Sequence, residues 1–140
     1  MDKILLKITG SQRIDNQKDK LELTTIGSFE EKKDAYIINY KEEQEPPEPP
    51  VSVSVKISKD EKSVVMTRSG ANDSCLVIEK SRRNLCNYGT QFGDILMGIS
   101  GHTVDSEYDG NKGKFLFTYD IDINGALASK NEVIMTFRKN

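Results

Sequence analysis

The chain has 140 residues, 36% hydrophobic and 30% charged, with a formal charge of −2 from 20 basic and 22 acidic side chains. That length is one domain's worth and can bury roughly 70% of its unfolded surface. With no basic excess there is no general attraction for phosphates, so nucleic acid is excluded as a partner. The apolar run near the N-terminus, Ile4-Leu5-Leu6-Lys7-Ile8, is short and interrupted by a charge, so neither a spanning helix nor a secretion signal is expected, and the cytoplasm is. Cys75 and Cys86 lack the Cys-x-x-Cys spacing of a redox or zinc site and are expected to be ordinary buried or half-buried thiols.

Taken in order, the chain reads as a series of strands. Ile4, Leu6 and Ile8 alternate with Leu5, Lys7 and Thr9 until Gly10-Ser11-Gln12, which predicts a break and a polar connector through Lys20. Leu21, Leu23 and Thr25 begin a second strand leading to Phe29, and Glu30–Asp34 predicts a hairpin connection to Tyr36-Ile37-Ile38-Asn39-Tyr40. A period of two places Tyr36, Ile38 and Tyr40 on one face. Residues 42–50 hold all four prolines among glutamates. Proline lacks the donor that a sheet ladder needs, which predicts an extended, exposed acidic loop or a docking peptide.

Val51, Val53, Val55 and Ile57 then share one face opposite Ser52, Ser54, Lys56 and Ser58. Turns at Lys59–Lys62 and Ser69–Asp73 separate Val64–Arg68 from Cys75–Ile78, and Ser81–Asn84 leads into Leu85–Phe92. Gly93 predicts a bend or bulge before Ile95, Met97 and Ile99. After a turn at Asp109–Gly113, Phe115, Phe117, Tyr119, Ile121 and Ile123 alternate with polar neighbours. Asn124-Gly125 opens a connection to the closing strand at Val133, Met135 and Phe137. About ten short strands without a 3.6-residue period argue for a barrel or sandwich. A barrel is preferred, because closing the sheet removes its edges.

The order of features also resembles a family. Met66-Thr67-Arg68-Ser69-Gly70, then Tyr88-Gly89-Thr90-Gln91-Phe92-Gly93, then Phe117-Thr118-Tyr119-Asp120 is similar to the pattern of the YwiB-like bacterial proteins, a family catalogued as a domain of unknown function (number 1934). Tyr40-Lys41-Glu42 looks like that family's early Tyr-x-Glu step. The resemblance implies an all-β, antiparallel, eight-to-ten-stranded lipocalin-like (calycin) barrel. It implies no activity.

Strand parity aims Tyr40, Glu42, Arg68, Tyr88, Thr90 and Tyr119 toward the barrel interior if the apolar faces line it. A buried arginine needs a carboxylate, and Glu42 is the candidate. Such a convergent polar group in an apolar cavity suits a small apolar or amphiphilic ligand. In the alternative, Arg68 plugs a barrel filled by side chains, and the protein acts by contact with other proteins. His102, the single histidine, is expected at the surface or in a turn, and Asp120 and Asp122 on the outer face. No catalytic motif, metal-ligand set or cofactor fingerprint is legible, so no enzyme is expected. Asp105, Glu107 and Asp109 do not fit a calcium loop. A monomer is expected, or a homodimer through an unclosed strand edge.

Overall fold

A computed structural model of the chain describes residues 1–70, 73–90 and 93–140, with 88–90 as backbone only. Ten strands follow one another: β1 (Asp2–Ile14), β2 (Gln17–Glu31), β3 (Ala35–Glu42), β4 (Val51–Ser58), β5 (Ser63–Ser69), β6 (Ser74–Glu79), β7 (Arg83–Thr90), β8 (Gly93–Tyr108), β9 (Lys112–Ile123) and β10 (Ala126–Lys139). All are antiparallel to their ladder partners in one sheet of order β6-β5-β4-β3-β2-β1-β10-β9-β8-β7. The result is the expected all-β barrel, nearly closed, with the lipocalin-like meander of hairpins.

β1 pairs with β10 and joins the two halves of the meander, leaving β6 and β7 at the ends of the sheet. These ends meet as a seam without a regular ladder. Lys80 bridges Gly101 in parallel, the Ser81 N–H donates to the Gly101 carbonyl (3.0 Å), and the Gly101 N–H donates to that of Arg82 (3.1 Å). The Asn84 amide reaches the Val77 carbonyl (3.3 Å), and the Cys86 thiol reaches that of Cys75 (2.9 Å). Burial pushes the Cys86 thiol above its ordinary pKa, while Cys75 stands exposed on the outer face rather than half-buried. At the same end the Ser106 N–H donates to the Glu61 carboxylate (2.7 Å), which ties the β4–β5 turn to β8.

The interior follows from parity. Ile4 and Leu6, Ile38 and Tyr40, Val53, Val55 and Ile57, Val64 and Met66, and Phe115, Phe117 and Tyr119 face inward and are buried. One end is filled by rings: Phe29, Tyr36, Tyr108, Phe115 and Phe137 stand with centroids 4.7 to 6.1 Å apart.

The structure departs from the sequence reading in three places. No break occurs at Gly10–Gln12. β1 and β2 run on as a long hairpin turning at Asp15-Asn16, with Ile14 paired to Gln17 and Asp15 at φ 53°. Its tip is polar because ladder bonds, not burial, hold it, so the apolar period disappears while the strand continues. β8 continues well past Ile99, because a bulge between Gly101 and Thr103 moves the inward positions from Ile99 to Val104 and breaks the period. Glu42, read as the start of the proline loop, is the last residue of β3 and pairs with Val51, so the exposed loop occupies 43–50. At Asn124 (φ 54°) and Gly125 (φ 86°) the chain makes a two-residue turn of the type favoured between antiparallel strands.

Gly101 is the residue on which the seam depends. A Cβ there would stand 2.7 Å from the carbonyl carbon of Glu79 and closer still to its oxygen, so backbone would have to move. Gly101→Ala is expected to cost about 1–3 kcal/mol in urea-induced unfolding, the scale of overpacking. Gly10→Ala, whose added Cβ meets nothing within 4 Å, is expected to cost nothing measurable.

Candidate functional site

The two halves of the sheet differ in length. β3 to β6 span six to eight residues each, whereas β1, β2, β8, β9 and β10 span twelve to sixteen. β2 and β3 share only four residue pairs, Ser28 to Glu31 with Tyr36 to Asn39. Beyond them the ladder ends: Gly27 still lies close against the Asn39 carbonyl and Tyr40, no earlier residue of β2 pairs with β3, and the barrel opens toward that end. Inward-facing Ile8, Leu23, Met97, Ile121 and Val133 are therefore only half-buried, packed against the core on one side. Gly10, in register with Leu21 and Val133, adds open space to the same face.

Four of the six expected site residues come together here. Tyr40 pairs across the ladder with Val53, and Val53 with Arg68, while Glu42 lies two residues beyond Tyr40. The Arg68 guanidinium grips Glu42 end-on: Nη1 donates to Oε2 at 2.6 Å and Nη2 to Oε1 at 3.0 Å. The side chains are 37% and 24% exposed, so the pair sits at the mouth rather than in the sealed core. Burial works against the guanidinium charge, but the Glu42 bonds and charge outweigh it and hold the Arg68 pKa above its ordinary value.

Tyr40 is pushed up to about 12, first by burial and then by the Glu42 carboxylate, with Arg68 pulling the other way. Burial also raises Tyr119, against the pull of Arg68. The Arg68 charge is therefore felt by phenols on both β3 and β9. Tyr119 is only 8% exposed, and its hydroxyl makes no hydrogen bond to any described residue. Since no sealed polar side-chain atom among the described residues lacks a partner, that hydroxyl keeps some access to solvent. The side chains of Tyr88 and Thr90, also expected inside, lie outside the described residues.

The other polar candidates stand apart. His102 lies in the β8 bulge, not a turn, exposed and 2.9 Å from Asp120. Asp122 accepts two bonds from Arg83, at 2.9 and 2.7 Å, which hold its carboxyl below the usual range. Asp109 caps its own turn, accepting from the Asn111 and Lys112 N–H groups. Among the described residues no group of three His, Cys, Asp or Glu side chains could hold a metal ion. No helix of the described residues is long and apolar enough to cross a membrane. Sequence reasoning missed Gly10 and the half-buried rim; the signal was there in Gly10 sharing the parity of Ile4, Leu6 and Ile8.

A family model described as Domain of unknown function (DUF1934) matches residues 6–135. The chain belongs to this family. Its fold is similar to that in a crystal structure of the ywiB protein from Bacillus subtilis, with a TM-score of 0.85 and 22% identity, over 99% of this chain and 92% of that one. At that identity the likeness concerns the fold. No curated protein matches the chain.

The Tyr40 shift carries a sign. The neutral phenol is favoured in the fold, so its contribution is full below pH 10.0, the ordinary value, and is lost as pH rises toward about 12. Unfolding free energy is expected to fall by about 2 kcal/mol across that window, less so in Tyr40→Phe. Urea titrations at each pH, with phenolate absorbance followed in parallel, check it. A double-mutant cycle of Arg68→Met and Glu42→Met is expected to give a coupling of about 1–2 kcal/mol, between the values for exposed and buried pairs.

Proposed function

We propose that this barrel is a cytoplasmic, non-enzymatic binding module that takes a small apolar or amphiphilic molecule into its open end. The observation that carries the reading is the Tyr119 hydroxyl, a donor and acceptor without a protein partner among the described residues, beside the Arg68–Glu42 pair. The apolar part of a ligand would lie along Ile8, Leu23 and Val133, with Gly10 leaving room for it. Its polar end would meet Tyr119.

The charge state narrows the ligand. Arg68 is already matched by Glu42 through two bonds, so the mouth is electrically neutral as a unit. A hydroxyl, carbonyl or amide head group fits that environment. A free carboxylate would have to approach Glu42 and compete for its partner, losing charge-assisted bonds before making new ones. Cys75 and Cys86, both free, accord with a cytoplasmic setting.

Thermal and urea unfolding with a matched series of medium-chain alcohol, amide and carboxylate tests the reading. A true ligand at a hundredfold excess over its Kd stabilises by about 2.7 kcal/mol. Alcohol and amide are expected to stabilise the wild type, Gly10→Trp to lose the effect by filling the mouth, and Tyr119→Phe to weaken it. Equal stabilisation of Gly10→Trp would place any binding elsewhere. No stabilisation by any member would favour the other reading, a barrel filled by its own side chains that acts through protein contacts.

A further inference from the structure

The long hairpin leaves an unpaired edge. From Gln17 to Ile26, β2 has a ladder with β1 and with no other strand among the described residues, because its ladder with β3 covers only Ser28 to Glu31 and Gly27 lies against Asn39 and Tyr40. An exposed edge of this length is a template for another strand. At its centre Leu21 is 76% exposed, with Lys20 and Glu22 on either side. We propose that this edge is a self-association surface, in which β2 of one copy pairs antiparallel with β2 of a second.

Register decides between arrangements. Ile14 and Gln17 close a two-residue hairpin and so exchange both backbone bonds, as do alternate pairs beyond them, including Gly10 with Leu21 and Ile8 with Leu23. Lys18, Lys20, Glu22, Thr24 and Ile26 therefore turn their backbone groups outward to the free edge. A two-fold axis at Leu21 sets Lys20 of each copy opposite Glu22 of the other as a hydrogen-bonded pair. Leu21 then meets its own counterpart as a non-hydrogen-bonded pair, where side chains come closest. Moving the axis one residue along the strand in either direction stacks Glu22 on Glu22 or Lys20 on Lys20, which like-charge repulsion disfavours. Lysines on an edge usually discourage strand addition; here Lys20 already stands 3.4 Å from Glu22 of its own strand, and only the register centred on Leu21 also sets it opposite the Glu22 of the second copy, so the same charges select the partner.

The proposal does not rest on the ligand reading, since neither Lys20 nor Glu22 belongs to the mouth, although both surfaces lie where β2 runs on past its ladder with β3. Sedimentation equilibrium on the full chain tests it, with Lys20→Glu, Glu22→Lys and an equimolar mixture of the two variants. Wild type is expected to dimerise within a range reaching about 1 mM, the weak limit of specific association. Each single variant places like charges opposite one another twice and is expected to weaken dimerisation about tenfold or more. In the mixture, both pairs across the axis join a carboxylate of one variant to an ammonium of the other, so a heterodimer is expected at wild-type strength. That recovery also shows that both variants fold. A wild type that stays monomeric throughout, or dimers indifferent to all three changes, would overturn the proposal.

Discussion

The ladder between β1 and β10 is the constraint from which the rest of this barrel follows. It sets the first and last strands side by side in the middle of the sheet, so neither is an edge. Closure is left to β6 and β7, which are consecutive in the chain but share no regular ladder. They meet where the bulged β8 lets Gly101 approach the Glu79 backbone. A few backbone bonds, one amide and one thiol replace a regular ladder there. Had that contact carried a side chain, the two ends of the sheet would stand apart.

Unequal strand length does the second part of the work. The short half, β3 to β6, covers the long half at the aromatic end and leaves it uncovered beyond Tyr40. At the aromatic end, rings from several strands fill the interior to packing contact. At the other end the same inward positions carry Ile8, Leu23 and Val133 without full cover. One alternating pattern thus produces a sealed core and an open mouth, and the difference between them is how far the neighbouring strands reach.

Electrostatics at the mouth are consistent with that position. A guanidinium deep in the core would face a desolvation cost that one carboxylate offsets only in part. At the rim, water still reaches both partners, and the forked geometry fixes Glu42 against Arg68. The phenols of Tyr40 and Tyr119 are held neutral by burial, so the cluster carries balanced charge and hydrogen-bonding capacity together. The same parting of β2 from β3 that opens the mouth also bares the β2 edge, so both surfaces trace to one short ladder.

Parity in the sequence was enough to define the strands with an apolar face, the inward direction of Tyr40, Arg68 and Tyr119, and the need of Arg68 for a carboxylate. Those follow from local geometry: side chains two apart point the same way, and a shielded charge requires a partner. The polar hairpin through Ile14 and Gln17 was not legible, since strands held by ladder bonds on a solvated surface need no apolar period. Nor was the β8 bulge, which shifts parity midway and erases the signal it would otherwise leave. The carboxylate named from parity, Glu42, is the one that Arg68 holds, but that Tyr119 borders open space and that β2 ends as a bare edge depend on which strands stop first. Only the tertiary structure decides that, because strand length in a barrel is set by the neighbours available to pair with.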